Sequence, residues 1–183
     1  MQLVEALRKS SNVPGSFVDV GFGYGKFAND ILNLIEQKEL DPRAFILVDR
    51  FNLEGGTVHP SKAIDFKHRL INVCKHPTTI VRGPVERFLA EALNNTSPAV
   101  AHVDIPVLEP YKLSLELCYD SLPYGGFLFT RYNTPVYHVF EQLAKRTGNL
   151  ILFAEQQKYS YIIKDRISTA AASPAKRTQS VLT

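Results

Sequence analysis

The stretch NLILFAEQQKYSYIIKD, residues 149–165, decides the fold. It contains two runs of aliphatic and aromatic residues, NLILFAE and YSYIIKD, and only Gln156, Gln157 and Lys158 separate them. Two parallel strands need a crossover connection of about a dozen residues or more, whereas a short link closes a β-hairpin. The two runs are therefore predicted to pair as antiparallel strands at the end of the domain.

Strand-like and helix-like segments alternate upstream of this hairpin, from residue 16 onward. Strands are predicted in SFVDVG, AFILVDR, TTIVRG, PAVAHVDI and GGFLFTRY. Helices are predicted in KFANDILNLIEQKEL, SKAIDFKHRLINVCK, PVERFLAEAL, EPYKLSLELCYDSL and TPVYHVFEQLAKRTG. Such alternation is typical of βαβ units, which build a largely parallel sheet covered by helices.

Two of the helices carry more detailed expectations. The last one, TPVYHVFEQLAKRTG, is expected to be capped by Thr134 and to end at Gly148. In SKAIDFKHRLINVCK, the periodicity predicts a core-facing side made of Ile64, Leu70 and either Val73 or Cys74.

Five βα units closed by an antiparallel hairpin describe a narrow class of α/β fold. We predict a doubly wound, seven-stranded and mostly parallel sheet in the order 3-2-1-4-5-7-6, with an antiparallel last strand. This is the Rossmann-like sheet of class I methyltransferases, whereas the ordinary dinucleotide-binding fold would continue with parallel strands. The hairpin therefore favours S-adenosylmethionine (SAM) over NAD as the cofactor.

Length and composition fit one globular domain. The chain has 183 residues, of which 45% are hydrophobic, and this is enough to bury a sizeable core. No apolar run reaches the roughly 18 residues that a membrane helix needs, so a soluble, cytoplasmic protein without a membrane partner is expected. Cys74 and Cys118 lack metal-ligand spacing and are expected to be buried free thiols.

The excess positive charge is confined to the C-terminal segment. Arg166, Lys176 and Arg177 follow Asp165, the last acidic residue, and the rest of the chain is electrically balanced. We predict a folded domain over residues 1–165 and a disordered basic tail, rich in Ser, Thr and Ala, over residues 166–183. Nucleic acid is not expected as a partner of the folded domain, while the tail is a candidate contact for a protein partner.

A glycine turn follows the first predicted strand. Gly21, Gly23 and Gly25 are spaced Gly-x-Gly-x-Gly, and Asp19 lies two residues before the first glycine. Glycines let the backbone approach a ligand closely, and the helix that follows offers free N–H groups at its start. Dinucleotide binders usually show Gly-x-Gly-x-x-Gly instead. A glycine turn without a ligand is the alternative, and it leaves the acid unexplained.

A second acid, Asp49, ends the second predicted strand. A carboxylate at this place in a nucleotide-binding fold accepts hydrogen bonds from ribose hydroxyls. The alternative is an aspartate that merely forms a turn. Position and residue type together favour ribose contact.

Further motifs follow in a fixed order along the chain. They are Asp49-Arg50-Phe51, Gly83-x-x-Glu86-x-x-Leu89, and His102-Val103-Asp104 followed by Glu109, a helix and Gly125-Gly126. Together with the glycine turn, this ordered set resembles the macrocin O-methyltransferase family, SAM-dependent enzymes that methylate sugar hydroxyls. The resemblance covers about residues 16–164.

The resemblance implies SAM as the cofactor and a distribution of roles. Asp49 would take the ribose hydroxyls, and Asp104, after the fourth strand, would face the transferred methyl group as base or acceptor-orienting group. The residues assigned to cofactor binding are Asp19, Gly21, Gly23, Gly25, Asp49, Arg50, Gly83 and Glu86.

The chain departs from that family at its metal site. Related enzymes hold magnesium with a second Asp two residues after the first and with an Asp-Asp pair after the fifth strand. Here those positions are Pro106, and Thr130 with Arg131. Magnesium prefers carboxylate oxygens, so no metal is expected.

Two weaker catalytic candidates are His138 and Arg131. Arg131 is expected to point unpaired into the cleft, where it would bind an anionic acceptor, whereas a pair with Asp104 or Glu109 would close the cleft. His102 is interpreted as a structural histidine. Four tyrosines are candidates either for stacking on a ligand or for filling the core, namely Tyr24, Tyr111, Tyr132 and Tyr137.

Two functions remain open at this stage. The first is a metal-independent SAM-dependent methyltransferase that acts on oxygen or nitrogen of an unidentified acceptor. The second is a methyltransferase-like module that has lost turnover and serves as a binding or scaffold subunit. The retained cofactor-side residues favour the enzyme, and the missing metal ligands favour the scaffold. A nicotinamide oxidoreductase is a distant third.

Overall fold

The computed structural model describes residues 2–50, 61–74, 76–94, 96–154 and 158–165. Its strands are β1 Ser16–Val20, β2 Phe45–Asp49, β3 Thr78–Arg82, β4 Pro98–Val103, β5 Phe127–Arg131, β6 Leu152–Ala154 and β7 Tyr159–Ile163. Its helices are α1 Leu3–Arg8, α2 Lys26–Glu36, α3 Ser61–Cys74, α4 Val85–Asn94, α5 Leu108–Ser121 and α6 Tyr137–Thr147.

The seven strands form one sheet in the order β3-β2-β1-β4-β5-β7-β6. Strands β1 to β5 pair in parallel, and β7 pairs antiparallel with both β5 and β6. The predicted fold, including the closing hairpin, is confirmed. The chain reverses its strand order between β1 and β4, where open α/β sheets bind their ligands beyond the carboxyl ends of the strands.

Helices cover both faces of the sheet, so the central strands are buried on both sides. One core packs α1, α2 and α3 onto the sheet through residues such as Leu7, Ile31 and Leu70. The other packs α4, α5 and α6 against the opposite face through residues such as Leu89 and Leu115. As a result, every residue of β1 and β4 is buried.

Helix α1 was not predicted from the sequence. It buries Leu3, Ala6 and Leu7 on the sheet, and the segment that follows it is held by Arg43. The Arg43 guanidinium donates to the carbonyls of Ser10, Ser11 and Val13 at 2.7–2.9 Å. The residues before β1 therefore belong to the core of the domain.

The predicted inward face of α3 was wrong in part. Leu70 is buried as expected, but Ile64 is 48% exposed and Val73 is also exposed. The buried residues are Ala63, Phe66 and Leu70, whose spacing of three and four residues defines the inward stripe. Because Phe66 stacks edge-on against Phe22 and Phe45, it fixes how the helix is rotated.

The predicted cap of the last helix was also wrong. Helix α6 begins at Tyr137, and the buried Thr134 Oγ1 has no hydrogen-bond partner in the described part of the chain. The Tyr137 N–H instead donates to the Thr134 carbonyl at 3.0 Å, which makes a separate turn before the helix. Gly148 ends the helix with φ of 70°, as predicted.

Three remaining expectations have different outcomes. Cys118 is a buried free cysteine, and burial raises the pKa of its thiol to about 12. The Cys74 side chain and the predicted tail at residues 166–183 lie outside the described residues. Among the helices that the structure describes, none combines the length and the hydropathy required to span a membrane.

Candidate active site

The glycine turn connects β1 to α2 with three backbone angles in the left-handed region. Gly21, Gly23 and Gly25 have φ of 78°, 52° and 71°. A side chain on Gly21 would overlap the carbonyl oxygen of Asp104, and one on Gly25 would overlap the Phe22 ring. A Cβ on Gly23, by contrast, would have its nearest neighbour 3.7 Å away. Gly21 and Gly25 are thus required by packing, whereas a side chain on Gly23 would make only an ordinary contact with the residues that the structure describes.

Asp49 supports this turn directly. Its Oδ2 accepts a hydrogen bond from the Gly23 N–H at 2.9 Å, and its main-chain carbonyl accepts one from the Gly83 N–H at 2.9 Å. Three residues that the sequence assigned to one site, separated by up to 60 positions, are therefore in contact. They lie at the carboxyl ends of β1, β2 and β3.

Arg50 and Glu86 form an ion pair at the edge of this region. The Arg50 guanidinium lies 3.3 Å from Glu86 Oε1, and both side chains are largely exposed. The pair links the end of β2 to the first turn of α4. It brings together two further residues that the sequence assigned to cofactor binding.

The Asp19 carboxylate contacts a buried side chain inside the protein and does not face the cleft. Its Oδ1 lies 2.8 Å from Nδ1 of His102 on the neighbouring strand β4, and both side chains are buried. The His102 ring also stacks on Phe27 with a centroid distance of 4.1 Å. Asp19 Oδ2 and His102 Nε2 are buried without a partner in the described part of the chain. The sequence analysis treated His102 as structural but missed that Asp19 is its partner.

Asp104 and Arg131 form an ion pair at the carboxyl ends of β4 and β5. Arg131 Nη2 lies 2.5 Å from Asp104 Oδ2, and the side chains are 59% and 19% exposed, respectively. Burial raises the pKa of the Asp104 carboxyl, while His102 and Arg131 act in the opposite direction. The expectation that Arg131 stands unpaired was wrong, because its guanidinium lies at the carboxyl end of β5, within ion-pair distance of the Asp104 carboxylate.

A chain of hydroxyl groups holds the same two strand ends. Thr130 Oγ1 donates to the Val103 carbonyl at 2.8 Å and accepts from the Tyr111 hydroxyl at 2.8 Å. Burial raises the pKa of Tyr111 above its usual value, so the phenol remains a neutral donor. Thr130, one of the positions that the sequence resemblance matched to metal ligands, is therefore occupied by internal hydrogen bonds.

The remaining candidate residues are one histidine and three tyrosines. His138 is exposed on α6 and makes no hydrogen bond or ion pair within the described ranges. Tyr137 is buried and donates to Ser160 Oγ at 2.8 Å. Tyr132 packs edge-on against Tyr137, while Tyr24 on the glycine turn is 68% exposed. Of the four candidate tyrosines, Tyr24 and Tyr132 retain exposed rings.

The described residues contain no group of three or more His, Cys, Asp or Glu side chains arranged to hold a metal ion. Pro106 supplies no side-chain oxygen, and the Asp104 carboxylate is taken by Arg131. The donor set present at this edge therefore does not fit a magnesium site.

Comparison with solved structures shows the same fold in several methyltransferases. The apo TDP-rhamnose 3'-O-methyltransferase of calicheamicin biosynthesis superposes with a TM-score of 0.70 and 19% identity, over 87% of this chain and 76% of that one. An rRNA methylase from Streptococcus thermophilus gives 0.62 and 16%, over 89% and 94%. A protein from Streptococcus mutans in complex with SAH (S-adenosylhomocysteine) gives 0.56 and 12%, over 88% and 94%.

No protein-family model matches the sequence, and no curated protein matches it. At the identities above, the likeness to solved structures shows the fold alone. The roles of the site residues therefore rest on their own geometry.

Proposed function

We propose that this protein is a SAM-dependent methyltransferase that acts on an oxygen or nitrogen atom of its acceptor. The observation that carries the proposal is the contact between Gly23 and Asp49, 2.9 Å from amide nitrogen to carboxylate oxygen. It places an open glycine turn and a strand-end carboxylate side by side at the edge where this fold binds ligands.

The residues present fit the cofactor. None of the described residues approaches a Gly23 Cβ more closely than 3.7 Å, so as far as those residues are concerned a ligand can approach the backbone there. The Asp49 carboxylate can accept about four hydrogen bonds in total, which leaves capacity for ribose hydroxyls beside the Gly23 N–H. The start of α2 adds main-chain N–H groups and a partial positive charge, which suit the carboxylate of the methionine moiety.

When bound, SAM supplies a methyl group on a positively charged sulfur, which an acceptor atom displaces in line. The chain's own contribution is to hold the acceptor and to take its proton. Asp104 is next to Gly21 and therefore beside the cofactor turn. Its raised pKa makes the carboxylate a stronger base than an exposed aspartate. Positioning the acceptor supplies much of the remaining rate enhancement.

We further propose that the reaction proceeds without a metal ion. Arg131 holds the Asp104 carboxylate, and Thr130 is committed to Val103 and Tyr111. The guanidinium supplies a fixed positive charge next to the proposed base. The resemblance to macrocin O-methyltransferases suggests a sugar hydroxyl as one acceptor, and this assignment is part of the proposal.

A scaffold role is the second candidate, and the Asp104–Arg131 pair favours it. An ion pair between the proposed base and a neighbouring guanidinium is what a retired active site would show. The exposure of Arg131 argues the other way, because a 59% exposed side chain can leave its partner at little cost.

Isothermal titration calorimetry of the full chain with SAM and with SAH separates the two candidates. The enzyme requires saturable binding of both, with affinities in the usual micromolar range for a cofactor. A chain that binds neither ligand contradicts the methyltransferase proposal and supports the scaffold.

A further inference from the structure

The ion pair between Asp104 and Arg131 determines the charge beside the glycine turn. Arg131 Nη2 lies 2.5 Å from Asp104 Oδ2, and the Asp104 main chain is in contact with Gly21. Among the residues that the structure describes, no second cation forms an ion pair with the Asp104 carboxylate. The carboxylate next to the turn is therefore already matched by a guanidinium before any ligand binds.

The main chain holds both partners of this pair in place. The Asp104 N–H donates to the Val20 carbonyl at 2.9 Å, which fixes the end of β4 against β1. Arg131 ends β5, and this strand pairs with β4 on one side and with β7 on the other. The positive charge therefore comes from a strand end that cannot move away without breaking the sheet.

Arg131 is the accessible member of a group of interacting charges. Burial raises the pKa of the Asp104 carboxyl, His102 and Arg131 lower it, and Asp19 raises it, so these groups share one electrostatic environment. Asp19 and His102 are buried and contact each other at 2.8 Å. Most of the Arg131 side chain is exposed, so its charge can be removed with little disturbance of the core.

The two forms of the proposed cofactor differ in charge as well as in size. SAM carries a methyl group and one positive charge on its sulfur, and SAH has neither. A carboxylate without a partner would attract that charge and favour SAM. A carboxylate that already holds a guanidinium attracts it less, and the guanidinium itself repels it. Solvent and salt weaken this repulsion at an exposed side chain but do not abolish it at short range.

We propose that Arg131 determines how the cofactor site discriminates between SAM and SAH, and that it shifts the preference toward SAH. The inference rests on the proposed methyltransferase function, in which Asp104 faces the transferred methyl group. With Arg131 in place, SAH competes with SAM more strongly than it would beside an unpaired Asp104. Inhibition by the reaction product is thereby built into the site, and the ratio of SAM to SAH controls its occupancy.

Isothermal titration calorimetry measures the dissociation constants of SAM and SAH for the full chain at about pH 8, well above the ordinary pKa of a carboxyl group. Arg131→Gln is expected to raise the preference for SAM over SAH about three- to tenfold, because only SAM carries the charge that Arg131 repels. Arg131→Lys keeps the positive charge and should keep most of the parental ratio. Arg146→Gln is the matched control, since Arg146 is an exposed arginine paired with Glu116, and it should leave the ratio unchanged.

A substitution at the other partner should act in the opposite direction. Asp104→Asn removes the carboxylate and leaves the Arg131 guanidinium without its counter-charge. The preference for SAM over SAH is therefore expected to fall about three- to tenfold in this variant. Should Arg131→Gln fail to fold, Asp104→Asn decides alone, because an unchanged or raised preference for SAM contradicts the inference.

The outcomes separate this inference from the function on which it rests. If Arg131→Gln changes the affinities for SAM and SAH by the same factor, Arg131 does not discriminate between them. The inference is overturned in that case, and saturable binding of both ligands leaves the methyltransferase proposal standing. An equal change of the ratio in Arg146→Gln also overturns it, because net charge alone would then explain the effect. If the parent protein binds neither ligand, both proposals fail.

Discussion

Gly21 and Asp104 are in such close backbone contact that no side chain fits between them. The Asp104 N–H donates to the carbonyl of Val20 at 2.9 Å, and a Cβ on Gly21 would overlap the Asp104 carbonyl oxygen. The glycine turn after β1 and the proposed base after β4 are consequently fixed relative to each other by the main chain. This contact makes Gly21 a structural glycine, whereas Gly23 is the glycine that we propose contacts the cofactor.

Alanine substitutions at Gly21 and Gly23 should therefore have different effects on stability and on ligand binding. Gly21→Ala is expected to lower the free energy of unfolding by about 2–4 kcal/mol, because it combines a backbone overlap with a left-handed φ. Gly23→Ala is expected to cost only about 1–2 kcal/mol, for the φ alone, yet to abolish measurable SAH binding. Urea unfolding and calorimetry on both variants check this. A Gly23→Ala protein with parental SAH affinity would contradict the assignment of Gly23 to the cofactor site.

Removal of the Asp49 carboxylate should weaken the cofactor site. Asp49→Ala is expected to reduce SAM affinity by about one to two decades, since a charged hydrogen-bond partner is worth about 1.5–3 kcal/mol. Asp49→Asn is the matched control for the turn, because an amide oxygen can still accept from the Gly23 N–H. We expect Asn to retain the stability of the parent and only part of its affinity. Equal SAM binding by the Ala variant and the parent would refute ribose contact.

The Asp104–Arg131 pair predicts a pH dependence with a definite sign. The folded-state pKa of Asp104 is raised above its unfolded-state value, so between these two pKa values the folded state binds more protons than the unfolded state. The free energy of unfolding therefore falls as the pH rises from the unfolded-state pKa through the folded-state pKa. Arg131→Gln removes the positive charge that lowers the pKa of Asp104. The pKa should therefore rise further, and the loss of stability with rising pH should become larger. Carboxyl-carbon NMR titration and urea unfolding at several pH values test this. Arg146→Gln, which breaks an exposed ion pair with Glu116, should leave the Asp104 titration unchanged.

The buried Asp19–His102 pair should contribute to stability rather than to turnover. His102→Phe is expected to cost about 3–5 kcal/mol, because it leaves the Asp19 carboxylate buried and unpaired. Asp19→Leu combined with His102→Phe should cost less than the sum of the two single changes. Urea unfolding of the three variants gives the coupling, and His138→Phe on the exposed face of α6 is a control expected within about 0.5 kcal/mol of the parent. If the double variant loses as much stability as the two single variants together, the contact contributes no coupling free energy.

Strand and helix identity could be predicted from the sequence because periodicity records burial on one or both faces. The short link between β6 and β7, predicted as three residues and four residues long in the structure, even determined the antiparallel pairing, because it is too short for a crossover connection. Rotation of α3 could not be read in the same way, because Ala63 and Ile64 are both apolar and only contact with Phe22 and Phe45 selects the inward one.

Site chemistry was less accessible than fold. The spacing of the glycines and the strand-end position of Asp49 are local signals that the sequence shows directly. In the structure, the Asp49 carboxylate accepts a hydrogen bond from the Gly23 N–H. Ion pairing depends on which residues the fold brings together. Asp19 and His102 are 83 positions apart, and the distance along the chain between Asp104 and Arg131 does not correspond to a helix or strand repeat. For this reason the Asp19–His102 pair was not predicted, and the Asp104–Arg131 pair was considered only as the alternative to an unpaired Arg131.

The hydroxyl chain from Tyr111 through Thr130 to the Val103 carbonyl has a consequence for how specificity could change. It fastens α5 to the ends of β4 and β5, so the side of the cleft that carries Asp104 and Arg131 is preorganised before any acceptor arrives. A preorganised edge needs no reorganisation during the reaction, but it also cannot adapt to a new substrate. If the protein is a methyltransferase as proposed, changes of acceptor would therefore have to come through exposed side chains such as Tyr132, with the strand ends left as they are.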